Sequence, residues 1–302
     1  MQIAQLSAAI KKGDRAALAR GITLVENEPS KASALMKRIG SGGRAFVLGV
    51  TGPPGTGKST LVDQLIESLR TRGLKVGVIA VDPTSPITGG ALLGDRIRMT
   101  RHTGDRNVYI RSMASRGWSG GLSMATAQAI RLLDAAGFDI VLLETVGIGQ
   151  SDIEVVGVSH AVLVVLMPGL GDDIQISKAG LMEVGDIYVV NKADLEGADR
   201  MVVDILSLFQ RGRHRPPVLK VSAQSGEGLE KLLRSVDEIR GKFEAGDEVL
   251  RLRGIRGLIV ETARGAALAR FTAVSEAKAD HLARLVAGEK ITVEEAAARL
   301  AA

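Results

Sequence analysis

The chain has 302 residues, 45% of them hydrophobic and 24% charged, with a net charge of +5 and no cysteine. That length buries one large α/β core with appendages, and the missing thiols exclude disulfides, thiolate metal sites and cysteine nucleophiles. No apolar run reaches the roughly 18 residues that a membrane-spanning helix needs.

Residues 1–41 read as a helical extension: Ile3, Leu6 and Ile10, then Ala17 and Leu18, then Leu35, Met36 and Ile39 recur at helical spacing. Charged Lys11, Lys12, Asp14, Arg15 and Glu26 stand where a secretion signal needs its apolar core, so the expected compartment is the cytoplasm. Gly40-Ser41-Gly42-Gly43 ends the helical zone by glycine capping. From 42 to 245 apolar strand runs alternate with helical stretches. The strand candidates are Ala45–Val50, Val76–Val81, Val108–Ile110, Ile140–Leu143, Val162–Met167, Ile187–Val190 and Val218–Val221. Most are β-branched and do not alternate in polarity, the mark of a parallel sheet covered on both faces. From Gly246 to the end, Ala, Arg, Glu and Leu dominate, and two or three amphipathic helices are expected, including Val274–Ala287 and Thr292–Leu300. The expected fold is therefore α/β: a P-loop NTPase with a mostly parallel sheet of about seven strands, helices on both faces and helical extensions at both ends. Aromatic residues make up only 3% of the chain, too few for base-stacking platforms, so neither nucleic acid nor membrane is an expected partner despite the basic balance.

Gly52-Pro53-Pro54-Gly55-Thr56-Gly57-Lys58-Ser59-Thr60 fits the phosphate-loop pattern G-x-x-x-x-G-K-[ST]. An apolar strand runs into it, and a helix marked by Leu61, Leu65, Ile66 and Leu69 runs out. Glycines let successive backbone N–H groups turn inward around phosphate oxygens, and the helix N-terminus adds partial positive charge. Lys58 reaches the β- and γ-phosphates, and the Ser59 hydroxyl is placed for Mg²⁺. A plain glycine-rich turn explains the glycines but not the Lys-Ser pair at its fixed offset.

Asn191-Lys192-Ala193-Asp194 follows the sixth strand candidate, at the end of the sheet where such folds present ligands. A carboxylate at Asp194 accepts the guanine N1–H and exocyclic amine, while the Lys192 stem stacks along the base. Adenine lacks that donor pair. Ser222-Ala223-Gln224, after the seventh candidate, matches the loop that offers amides to the guanine carbonyl. Guanine is the expected base.

Glu144-Thr145-Val146-Gly147 leaves the fourth candidate where Ras-like GTPases carry D-x-x-G. Glu144 is suited to hold Mg²⁺ through a water, and the Gly147 amide to sense the γ-phosphate. Asp82 and Asp95 are hard oxygen donors on loops hinged by Gly89, Gly90 and Gly94. His102, His160, His214 and His281 have no metal-ligand spacing, and Trp118 reads as an ordinary half-buried side chain before a partner anchor.

Taken together, G-P-P-G-x-G-K-S-T, V-D-P-x-S-x-x-T-G-G-x-x-L-G-D, E-T-V-G-x-G-Q-S, N-K-A-D and V-S-A resemble the MeaB/ArgK family, a SIMIBI-class branch of the P-loop GTPases. The resemblance implies a GTP hydrolase, slow without its partner, that acts as chaperone of an adenosylcobalamin-dependent acyl-CoA mutase such as methylmalonyl-CoA mutase. It also implies a homodimer formed through the C-terminal helices of 246–302. It makes Asp95 and Glu144 neighbours of Mg²⁺ beside Ser59, and gives Asp82 a part in placing the attacking water. Two rivals stand beside it. A kinase linked to arginine or ornithine transport needs an acceptor pocket that no segment supplies. A nickel metallochaperone calls for a Cys/His cluster that the chain lacks.

Overall fold

The computed structural model describes residues 2–40, 42–82, 100–102, 104–114, 124–145, 157–169, 181–209, 215–272, 276–288 and 290–301. Seven strands form one sheet: β1 (Phe46–Thr51), β2 (Val76–Asp82), β3 (Val108–Ala114), β4 (Ile140–Thr145), β5 (Ala161–Leu166), β6 (Ile187–Val190) and β7 (Val218–Lys220). Their order is β3-β2-β4-β1-β5-β6-β7, and every neighbouring pair is parallel. The sheet is thus wholly parallel, where the sequence reading allowed a mostly parallel one. β3 runs four residues beyond its apolar signal. It is an edge strand, so Arg111 and Ser112 can sit half-buried there, and Arg111 pairs with Glu26 of the N-terminal helices.

Ten α-helices accompany the sheet among the described residues: α1 (Ile3–Lys11), α2 (Arg15–Asn27), α3 (Pro29–Ile39), α4 (Lys58–Thr71), α5 (Met124–Ala135), α6 (Ala198–Leu208), α7 (Leu229–Glu244), α8 (Glu248–Thr272), α9 (Glu276–Ala287) and α10 (Val293–Ala301). Local chemistry sets several of their ends. The Asp14 carboxylate accepts the Ala17 N–H at 2.7 Å to cap α2, and Pro29 opens α3. Gly40 closes α3 at φ +90°.

Strand residues point alternately to the two faces of the sheet, and the core divides accordingly. Val47, Ile79, Val81, Val141 and Leu143 pack under α1, α2, α3 and α5. Phe46, Leu48, Val50, Val78 and Leu142 pack under α4 and α7. α6 covers Val162, Val164 and Leu166 of β5 together with Tyr188 and Val190 of β6.

The chain divides into two compact units, 1–258 and 259–302. In the first, α8 lies against residues 157–160 at a separation that only glycine permits. A Cβ on Gly257 would stand 1.5 Å from the Gly157 carbonyl oxygen, and one on Gly254 would stand 2.6 Å from His160 Nε2. The second holds the end of α8 with α9 and α10. Among the described residues no helix is long and apolar enough to cross a membrane.

Candidate functional site

Parallel order brings the C-terminal ends of β1, β4, β6 and β7 to one edge, the edge at which open α/β sheets bind ligands. The loop after β1 turns there on three glycines with positive φ: Gly52 (+140°), Gly55 (+80°) and Gly57 (+87°). Gly52 has no room for a side chain, since a Cβ would lie 2.0 Å from the Val165 carbonyl oxygen of β5. Gly57 is the N-cap of α4, and the first intrahelical bond runs from Leu61 N–H to its carbonyl at 2.9 Å. The amides of 58–60 are therefore directed out of the helix end, where the dipole is positive.

Lys58 and Ser59 are both buried. The Lys58 ammonium donates to the carbonyls of Gly52 at 2.8 Å and Pro53 at 3.0 Å, so it curls back across the loop it follows. Thr56 Oγ1 donates to Pro53 O at 2.9 Å and keeps the turn closed. Pro54 and Gly55 form its exposed tip, while Pro53, Gly57 and Thr60 are half-buried.

Opposite the loop, Glu144 sits in β4 with 3% exposure, and its Oε1 accepts the Ser59 hydroxyl at 2.6 Å. A hydroxyl and a carboxylate are hard oxygen donors. Among the described residues no three His, Cys, Asp or Glu side chains form a metal cage. The Ser59–Glu144 pair is thus an oxygen donor set that fits a hard divalent cation. Asp82 closes β2. Asp95, Gly147 and Trp118 lie outside the described residues, as do the rest of 83–99 and 146–156.

The Asn191 side chain spans two loops: Nδ2 donates to the Thr56 carbonyl at 2.7 Å, and Oδ1 accepts the Ala223 N–H at 3.0 Å. Lys192 follows at φ +54°, an unusual conformation for a non-glycine residue. It directs the chain so that Ala193 N–H reaches Val221 O at 3.1 Å and Asp194 stands exposed beside it. Ser222 is buried and bridged to Glu227, and Gln224 is exposed at the tip of that loop. The three predicted loops are thus gathered at one edge of the sheet, with Asn191 joining the first to the last.

Two features of this edge escaped the sequence reading. Thr51 and Thr145 end β1 and β4 with their hydroxyls 3.2 Å apart, both buried. Their signal was a hydroxyl in the last place of each strand, after an apolar run in β1 and directly after Glu144 in β4. On the outer side of α4, Asp63 accepts from Arg101 at 2.6 Å and pairs with His102 Nε2 at 2.8 Å, so His102 has a structural partner. His160 lies far from this edge, near the start of β5. Its Nδ1 accepts the Val47 N–H at 2.9 Å, and its ring stacks on Phe46 and lies tilted against Phe243. Burial lowers its pKa to about 4.

Comparison with known proteins follows the same lines. Residues 18–262 match the family model described as methylmalonyl-CoA mutase-associated GTPase MeaB. A putative GTPase of Pyrococcus horikoshii is 50% identical over 262 residues, covering 84% of this chain and 83% of that one. The mitochondrial methylmalonic aciduria type A homolog of Mus musculus is 35% identical over 272 residues, covering 82% of this chain and 66% of that one. A crystal structure of an LAO/AO transport system kinase superposes with a TM-score of 0.72 at 25% identity, over 99% of this chain and 96% of that one.

Proposed function

This chain belongs to the MeaB family of methylmalonyl-CoA mutase-associated GTPases and is a GTP hydrolase, and from that premise we propose that it serves as a GTP-driven chaperone of an adenosylcobalamin-dependent acyl-CoA mutase. The observation that carries the reading is the family match across residues 18–262. The name of the mouse relative, taken from a disorder of methylmalonate handling, points the same way.

In this reading the loop 52–60 wraps the phosphates, with the Lys58 ammonium exchanging its Gly52 and Pro53 carbonyls for phosphate oxygens. Asp194 and Lys192 recognise guanine, and the 222–224 loop supports its carbonyl side. Asn191 holds the base and phosphate loops at a fixed separation. Ser59 and Glu144 would hold Mg²⁺, which when bound neutralises charge on the β- and γ-oxygens. Asp95 joins them, Gly147 senses the γ-phosphate, and Asp82 orients the water. Residues 42–245 carry the GTPase, while 1–41 and 246–302 flank it, the latter supplying the contact of a homodimer. Val249, Leu252 and Ile255 of α8 are 76%, 55% and 47% exposed, apolar surface of the kind that a protein partner covers.

The test is to titrate candidate acyl-CoA mutases into a GTPase assay while following cobalamin absorbance. Hydrolysis should rise several-fold with the cognate mutase, and nucleotide state should alter cofactor retention in return, because coupling between binding events is reciprocal. Transfer of the γ-phosphate to arginine or ornithine, with no response to any mutase, would favour the kinase reading, which the name of the LAO/AO transport system kinase raises.

A further inference from the structure

β1 and β4 are adjacent and parallel, in a register that sets Val50 opposite Glu144. Glu144 therefore faces α4 with Val50, where Ser59 meets it at 2.6 Å. The next residue on each strand faces the other way. Those residues are Thr51 and Thr145, 0% and 3% exposed, and the Thr145 hydroxyl donates to Thr51 Oγ1 at 3.2 Å. A buried hydroxyl is costly unless bonded, and the rest of β1 and β4 before Glu144 is filled with apolar residues and one glycine. Valine has nearly the shape of threonine and would fill either place without that cost. Threonine is also stiff at χ1, so a bond between two threonine hydroxyls fixes the backbone of both strand ends as well as the side chains.

We propose that Thr51 and Thr145 are positioning residues for Glu144, their hydroxyl bond locking the end of β4 to β1 so that the Glu144 carboxylate stays aimed at Ser59. The bond lies one residue beyond Glu144, where β4 ends and the backbone would otherwise fray. It acts from the face of the sheet opposite the Ser59–Glu144 contact. The inference rests on the reading of Glu144 as a neighbour of Mg²⁺.

The experiment compares Thr145→Val, Thr51→Val, the double variant, Thr145→Ser and Glu144→Gln. The first readout is the Mg²⁺ concentration needed to slow release of a fluorescent GDP analogue, and the second is kcat. Each valine variant should need about threefold to tenfold more Mg²⁺, the size of one neutral hydrogen bond. Preference for GDP over ADP should stay native, which general loosening of the fold would not allow. Thr145→Ser, which keeps the hydroxyl, should stay close to the native requirement, and the double variant should fall short of the sum of the two singles, because each removes the bond between the two hydroxyls. If Thr145→Val fails to fold, Thr51→Val tests the same bond from the accepting side. A native Mg²⁺ requirement in the valine variants, while Glu144→Gln raises it, overturns the proposal alone. A native requirement in Glu144→Gln overturns the Mg²⁺ reading and the proposal with it.

Discussion

Asn191 donates from Nδ2 to the Thr56 carbonyl at 2.7 Å, a contact between residues 135 positions apart that joins the loop after β6 to the loop after β1. The same side chain accepts the Ala223 N–H through Oδ1, and all three partners are buried. Asn191→Ala would leave a buried carbonyl and a buried N–H without this partner, at about 1–3 kcal/mol each. Chemical unfolding should show a loss of about 2–6 kcal/mol. Titration with a fluorescent GDP analogue should show affinity falling at least about tenfold, since the loops would no longer be held at one spacing.

Lys58→Ala should abolish most turnover, by about a hundredfold or more, because the loop 52–60 contains no second lysine to place on the phosphate oxygens. The helix itself should survive, since alanine is a good helix former. Circular dichroism alongside a phosphate-release assay checks both halves. Native turnover in this variant would remove the loop from the reaction.

Asp194 stands exposed in the loop after β6, which is proposed to hold the base. Asp194→Asn should weaken GDP binding and improve binding of xanthosine diphosphate, whose donor and acceptor pattern differs from guanine at that edge. In the native protein ATP should compete with the GDP analogue at least about a hundredfold more weakly than GTP. Equal competition by ATP and GTP would refute a guanine site.

His160 is 7% exposed and titrates near 4, against 6.5 for a free imidazole, with burial as the largest cause and Arg253 adding to it against the pull of Asp134. A lowered histidine pKa means that the unfolded chain binds the extra proton first as pH falls. The stabilisation is therefore whole above about pH 6.5 and is lost progressively down to about pH 4, reaching about 3 kcal/mol. His160→Asn keeps a side-chain acceptor for the Val47 N–H but takes up no proton in this pH range. Urea unfolding at pH 7 and pH 4.5 should show a shallower loss of stability in this variant than in the native chain.

Gly257→Ala pits two effects of opposite sign. Removing a helical glycine gains about 1 kcal/mol, but the new Cβ would lie 1.5 Å from the backbone oxygen of Gly157, which no rotamer change can relieve. Overpacking of this kind costs about 1–3 kcal/mol or more, so the clash wins. The melting temperature should drop by several degrees, and the same substitution at Gly241, where a Cβ meets nothing within 4 Å, should raise it slightly.

The order of the site loops was legible because each hangs on a local signal. Seven β-branched runs place the sheet, and the glycine spacing of 52–57 with Lys58 places the loop after β1. What stayed hidden depends on register and on distance through space. Nothing in the sequence sets Thr51 beside Thr145, or turns the Asn191 amide toward Thr56 as well as toward its own loop. The end of β3 was missed because Arg111 and Ser112 break its apolar run, and an edge position tolerates what a central strand would not. α8 carries little helical periodicity because its inward positions include Gly254 and Gly257, which pack by lacking a side chain.

In the proposed reading of the loop 52–60, the curl of Lys58 over its own carbonyls bears on how nucleotide is exchanged. Its ammonium holds the carbonyls of Gly52 and Pro53 at 2.8 and 3.0 Å. An arriving phosphate competes with internal ligands, and a departing one hands the charge back to them. Release therefore does not strand a bare cation in a buried place, which would cost several kcal/mol. In that reading the lysine's share of the nucleotide affinity is the difference between two coordination sets, the phosphate oxygens and the carbonyls of Gly52 and Pro53.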